Sequence, residues 1–331
     1  MQAGVETERH RADLEQLLLN TSRTFALAIP LLPEPTRQEV TISYLLFRIA
    51  DTFEDASSWP RHLRIEALER FGQLLERPDP AAIAAVSRRW AAEVPCDHPG
   101  YRELLGEIPF VLDSFFALAP RAVDLIRCHT RRTAEGMAGF VARTTEEGEL
   151  RLSDLADLRS YCYVVAGIVG ELLTELFLLG RPALETVGPF LRERAAAYGE
   201  GLQLVNILKD SASDAAEGRR YLPEGPAETT RAGVLALARR DLGAAAEYVR
   251  ALQEAGAERG VVAFNALPVE LAYATLDRVE AAGPGAKLRR SEVYAIVQRV
   301  NRALDEGAPA VSQPSSEPAP AAGPVPLASG G

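Results

Sequence analysis

Apolar residues recur along this chain at three- and four-residue spacing, with Ala, Leu, Glu and Arg abundant. That is the period of amphipathic α-helices. The pattern predicts helices over roughly 9–20, 35–56, 61–75, 81–93, 101–117, 119–143, 153–179, 189–216, 229–255, 261–281 and 290–304. Alternating β-branched runs are hard to find. Ser153 is placed to cap one helix, and Gly180-Arg181-Pro182 to end it. From Glu306 the periodicity stops, and Pro, Ala, Ser and Gly take over. The expected organisation is one all-α domain over residues 1–306, a helical bundle around a central cavity. A disordered tail without catalytic role follows over 307–331.

Two polar stripes interrupt the apolar pattern. In Asp51-Thr52-Phe53-Glu54-Asp55, Asp51, Glu54 and Asp55 share a helix face. Arg48 stands one turn earlier, with Tyr44, Phe47 and Phe53 around it. Taken alone, this patch reads as a solvated helix face with i,i+3 salt bridges. The second stripe, Gln203, Asn206, Asp210 and Asp214, lies on a helix that is otherwise apolar. A surface helix would carry mostly Lys and Glu there; amide, amide, acid, acid suits the wall of a polar cavity, with Lys209 beside it. Gly218-Arg219-Arg220-Tyr221-Leu222-Pro223 follows, a turn able to fold basic and aromatic groups over a cavity mouth. Two carboxylate patches facing one cavity suit hard divalent cations, with open coordination positions for phosphate oxygens.

Two further elements admit two readings each. Tyr161 to Gly170 places Gly167 and Gly170 inside a predicted helix, and Gly136 and Gly139 do the same in another. Such residues serve close helix packing or close approach of a ligand. Ser22-Arg23-Thr24-Phe25 offers hydroxyls and a guanidinium to phosphate, or an ordinary N-cap and a surface Arg.

Composition narrows the class. The chain has 331 residues, 47% hydrophobic and 25% charged, the profile of a soluble globular protein. A net charge of −10 argues against a nucleic-acid partner and against simple docking on anionic lipid. No uninterrupted apolar run reaches the ~18 residues of a membrane span; the best stretch, 164–180, is broken by Glu171 and Glu175. The polar N-terminus lacks a signal-peptide core. Cys96, Cys128 and Cys162 read as reduced thiols. The expected location is the cytoplasm, with transient membrane association allowed for release of an apolar product. His10, His62, His98 and His129 form no ligand cluster of the kind a zinc hydrolase needs.

The four segments, Ser22 to Phe25, Asp51 to Asp55, Tyr161 to Gly170 and Gln203 to Pro223, occur in the order found in the squalene/phytoene synthase family, which the chain resembles over roughly 15–305. Within it the Tyr161–Gly170 segment is most similar to that of squalene synthases. The resemblance implies an isoprenoid-synthase-type all-α fold, Mg²⁺ (Mn²⁺ in its place) and prenyl diphosphate substrates, farnesyl diphosphate favoured. It implies metal binding by Asp51, Glu54, Asp55, Asp210 and Asp214. It gives diphosphate-pocket positions to Ser22, Arg23, Arg48, Gln203, Asn206 and Lys209, and sets Tyr161 at the reacting centre. Phe25 and Tyr221 join the expected substrate contacts. Lys287 and Arg289 resemble the basic segment that squalene synthases use near the NADPH phosphate, and a solvated helix start fits them as well. Ser213 departs from the family's usual Glu, and Lys209 stands where Arg is common.

The implied reaction is head-to-head condensation of two farnesyl diphosphates to presqualene diphosphate, then reduction by NADPH to squalene. The alternatives are a presqualene diphosphate, dehydrosqualene or phytoene synthase without reduction, and a non-catalytic all-α interaction protein.

Overall fold

The computed structural model describes residues 13–22, 24–145, 148–223 and 227–312. Its helices are residues 13–21 (α1), Phe25–Ala28 (α2), Thr36–Glu54 (α3), Arg61–Leu74 (α4), Pro80–Glu93 (α5), Pro99–Gly106 (α6), Ile108–Phe116 (α7), Pro120–Ala142 (α8), Leu155–Cys162 (α9), Ile168–Leu178 (α10), Gly188–Ala216 (α11), Ala227–Glu254 (α12), Arg259–Ala282 (α13) and Arg290–Asp305 (α14).

The sequence of α3 explains its central place. Ile42, Leu45, Leu46, Ile49 and Phe53 follow helical spacing and are all fully buried. Each contributes about 1.5–3 kcal/mol when removed from water. Phe53 meets Trp90 at 4.5 Å and Phe71 at 6.2 Å between ring centroids. That stripe packs α3 on α4, α7 and α8. Tyr44, Arg48 and Asp51, also one turn apart, fall on the other face and line an internal cavity.

The opposite wall is α11, packed against α10, α12 and α13. Close approach of α10 and α11 requires glycine: a Cβ at Gly170 would stand 2.0 Å from the Ala195 carbonyl oxygen, and one at Gly199 2.0 Å from that of Ala166. Between α9 and α10 the chain makes one π turn, Tyr163–Gly167. The continuous helix predicted over 153–179 is therefore interrupted where it faces α11. The helical stretch Leu155–Leu178 is long and apolar enough to cross a membrane, yet 56% of its most apolar window is buried in the bundle.

Other departures from the predicted pattern are local. The 101–117 segment is two helices, α6 and α7, with Pro109 in the first turn of the second. The cap of α9 is Asp154, which accepts the Asp157 N–H at 2.8 Å, in place of Ser153. Gly180, with φ +71°, ends α10 as expected. Leu150–Arg151 (β1) and Arg219–Arg220 (β2) form an unpredicted parallel pair, with Leu150 opposite Arg219. Gly218, at φ +79°, turns the chain out of α11 into β2.

The start of the expected tail is not free. Ala310 and Val311 are buried, Gln253 donates to the Ala308 carbonyl at 2.7 Å, and the Ser312 N–H donates to Glu270 at 2.6 Å. The apolar pair and the two polar anchors hold 308–312 on α12 and α13. Residues 313–331 lie outside the described residues.

Candidate active site

A cavity of about 210 Å³ lies between α3, the π turn, α10, α11 and Phe264 of α13. Its inner wall is apolar, with Val40, Val165, Val169, Leu172 and Leu173; its polar mouth carries Arg48, Asp51, Gln203 and Asn206. Only part of each polar stripe reaches this space, Asp51 from α3 and Gln203 with Asn206 from α11; Glu54, Asp55, Lys209, Asp210 and Asp214 lie outside its lining. Phe25 and Tyr44 close the α2 side, with ring centroids 5.6 Å apart.

On α3, Arg48 pairs with Asp51 at 3.2 Å and lies over the rings of Tyr44 and Tyr101, at 5.6 and 5.2 Å. Tyr101 is not expected from the sequence, because it belongs to α6 and carries no motif. Burial pushes the Asp51 carboxyl up to about 6, Arg48 opposes this and Asp55 adds to it. Glu54 behaves differently. It is 6% exposed, turned into a small internal space with Arg64 and Arg219, and accepts a hydrogen bond from Tyr161 at 3.2 Å. Burial first, then Asp55 and Asp51, hold its carboxyl well above the usual carboxylate range.

On α11, Lys209 Nζ lies 3.3 Å from Asn206 Oδ1 and 3.2 Å from Asp210. Burial pushes the Asp214 carboxyl up to about 6; Arg219 opposes this, and Asp210, Glu217 and Asp55 add to it. Ser213, at the position of the usual acid, turns its hydroxyl back onto the Asp210 carbonyl at 2.8 Å. The two acidic walls meet through Arg219, which lies 3.4 Å from Asp55 and 3.7 Å from Asp214. Its bridging place depends on the β1–β2 pairing, which has no periodic signal in the sequence.

Tyr161 is buried, with its hydroxyl 3.0 Å from that of Tyr221 and the two rings stacked at 4.7 Å. Both tyrosines stand beside the acidic walls but outside the cavity lining. Burial first, then Glu54 and Tyr221, hold the Tyr161 phenol well above its ordinary value. Ser22 accepts the Phe25 N–H at 3.0 Å and so shapes the entry to α2. Arg23 lies outside the described residues. Lys287 and Arg289 are exposed, and the Arg289 N–H donates to Glu292 at 2.7 Å at the start of α14.

Among the described residues no three His, Cys, Asp or Glu side chains form a ready-made cage for a metal ion. The donor set nonetheless fits Mg²⁺. Its carboxylate oxygens are hard ligands, and Mg²⁺ commonly takes one or two carboxylates, keeps water and completes its shell with substrate phosphates.

Residues 18–296 match the squalene/phytoene synthase family. The chain belongs to that family, whose members are prenyltransferases. It is similar to the squalene synthase of Eremothecium gossypii, 32% identical over 213 residues, covering 63% of this chain and 45% of that protein. It is also similar to a Botryococcus braunii squalene synthase, 30% identical over 198 residues, covering 60% and 38%. The chain spans under half the length of these curated relatives. Among solved structures, the complex of TcSQS with the ligand E5700 has a TM-score of 0.72 at 26% identity, covering 88% of this chain and 85% of that one. The all-α expectation holds, and the fold is that of squalene synthase-type isoprenoid synthases.

Proposed function

We propose that the chain is a Mg²⁺-dependent prenyltransferase. It would join two farnesyl diphosphates head to head through presqualene diphosphate and use NADPH to reach squalene. The observation that carries this reading is that Asp51 of α3 meets Gln203 and Asn206 of α11 at one apolar cavity, with Arg219 within ion-pair distance of Asp55 and Asp214 from the same two helix faces. Asp51, Asp55, Asp210 and Asp214 are the residues to hold Mg²⁺, directly or through water. The bound metal supplies charge neutralisation for the departing diphosphate.

Arg48, Gln203, Asn206 and Lys209 would hold and orient diphosphate oxygens with charged and amide donors. The C–O bond breaks, the electron pair leaves with the diphosphate, and C1 of the allylic cation is attacked by the 2,3 double bond of the second substrate. The valine and leucine wall excludes water from that cation, and Phe25 and Tyr44 offer it their π faces. Loss of a proton closes the cyclopropane. Released diphosphate or Tyr161, whose hydroxyl is hydrogen-bonded to Glu54 and Tyr221, would take up that proton. Transient contact with a bilayer for product release belongs to the same reading.

One observation favours reaction without reduction: Lys287 and Arg289, the expected cofactor contacts, are exposed and lie outside the cavity lining. Incubation with C15 or C20 prenyl diphosphate and Mg²⁺, with and without NADPH, followed by product mass analysis, decides between them. Squalene formed only with NADPH supports the reductive reading. Presqualene diphosphate or dehydrosqualene whether or not NADPH is present selects the alternative, and phytoene from the C20 substrate contradicts the farnesyl assignment.

A further inference from the structure

A second pocket, of about 610 Å³, is lined by Asp214 and Tyr221 and shares no lining residue with the central cavity. It falls within the about 300–1,000 Å³ of small-molecule sites. Three arginines converge on it from three separate elements: Arg151 at the end of β1, Arg220 on β2 and Arg231 in the first turns of α12. The β1–β2 register sets Arg151 directly opposite Arg220. Glu149 holds Arg151 at 2.8 Å, and Arg231 donates to the Val279 carbonyl at 3.0 Å. Arg220 is exposed and has no side-chain partner among the described residues.

Glu149 offsets Arg151, and Asp214, the acid in the pocket lining, is already opposed by Arg219, so Arg220 and Arg231 bring the pocket's uncompensated charge. The hydroxyl-bearing Ser211 and Thr230 lie on the same wall, and Leu222 with Pro223 supplies an apolar face. Guanidinium clusters recognise phosphate through paired N–H donors. The apolar face and the volume call for more than a bare phosphate ion.

We propose that this pocket is the seat of a phosphorylated nucleoside, the 2′-phosphoadenosine end of NADPH, gripped by Arg151, Arg220 and Arg231. The assignment rests on the reductive reading above and gives the cofactor a place which Lys287 and Arg289 alone do not. Pro284 lines the pocket, and the Gly285 N–H donates to the Lys209 carbonyl at 2.7 Å. The loop leading to Lys287 is thereby tied to the same rim.

The test is calorimetric titration with 2′,5′-ADP, without prenyl substrate or Mg²⁺, on the wild-type chain and on Arg151→Ala, Arg220→Ala and the double variant. Both side chains are at the surface, so unchanged circular dichroism and Tm serve as the folding check; Arg231 is left intact because of its backbone contact. Binding should weaken about tenfold in each single variant, fall further in the double variant and decline with added salt. Wild-type affinity in the double variant overturns the proposal. Inorganic diphosphate binding as tightly as 2′,5′-ADP also overturns it, and assigns the pocket to released product. A chain that makes squalene with NADPH while the double variant binds normally sinks this site alone. Loss of 2′,5′-ADP binding in the variants, with no reduced product from the wild type, upholds the site and sinks the reductive reading.

Discussion

Arg219 lies 3.4 Å from Asp55, across the gap between α11 and the end of α3. The same guanidinium stands 3.7 Å from Asp214 and 2.6 Å from Glu217. One partly buried cation therefore compensates acids from both walls where the metal is expected to bind. Replacing it removes the cation that these three carboxylates share. Arg219→Ala should lose about 1–3 kcal/mol in EDTA, and Mg²⁺ should restore a larger share of Tm than it adds to the wild type. Thermal melts with EDTA and with Mg²⁺ check this; equal Mg²⁺ shifts in the two proteins would remove Arg219 from the charge balance.

Glu54 sits in the acidic motif but serves Tyr161. Its carboxyl is buried and hydrogen-bonded to the phenol, while Asp51 lines the cavity mouth. Glu54→Gln keeps a hydrogen-bond acceptor and should change the Mg²⁺ half-saturation by less than about threefold. Asp51→Asn should raise it by about tenfold or more, equivalent to ~1.4 kcal/mol. The measurement is Mg²⁺ titration of diphosphate release. A tenfold loss in Glu54→Gln would return Glu54 to the metal set.

Much of this arrangement is legible from spacing alone. The helical period locates the main helices, and the amide half of the polar stripe, Gln203 and Asn206, marks a cavity wall, while Asp210 and Asp214 lie outside that lining. What is not legible depends on contacts remote in sequence. Glu54 and Asp51 look equivalent in a motif, and only the packing of Tyr161 against the end of α3 separates them. Arg219 gains its place from a two-residue strand pair too short to show a period. Ala310 and Val311 look like part of a low-complexity tail because two apolar residues carry no periodic signal. Gly170 admits two readings in the sequence, and the structure gives it both: it faces the Ala195 carbonyl and it lines the cavity.

That packing gives a paired prediction. Gly170→Ala would drive a Cβ to 2.0 Å from the Ala195 carbonyl oxygen, and should cost about 2–3 kcal/mol or more as overpacking. Gly139, exposed on α8, has nothing within 4 Å of such a Cβ. Gly139→Ala should instead stabilise by about 0.5–1 kcal/mol through helix propensity. Denaturant melts of the two variants should move in opposite directions; movement in the same direction would contradict the packing.

The start of α9 provides a pH test apart from the active site. Arg143 holds the Asp157 carboxyl down to about 2, with the Ser153 N–H assisting and partial burial opposing. Because the folded value lies below the unfolded one, near ~4, the contribution is present above about pH 4 and is lost as pH falls toward about 2. Asp157→Asn should therefore melt below the wild type at about pH 7, with the gap closing between about pH 4 and 2. A gap constant with pH would show that the ion pair does not carry the effect.

On the proposed reading the acids of α3 and α11 would together hold the metal at which a prenyl diphosphate ionises, and the other catalytic assignments depend on that proposal. Single-turnover release of diphosphate from farnesyl diphosphate, followed with and without Mg²⁺ in the wild type, Asp51→Asn and Asp210→Asn, tests it most directly. Release is expected only with Mg²⁺, nearly abolished in either variant while helicity by circular dichroism is unchanged. Wild-type release by either variant, or Mg²⁺-independent release by the wild type, would contradict it.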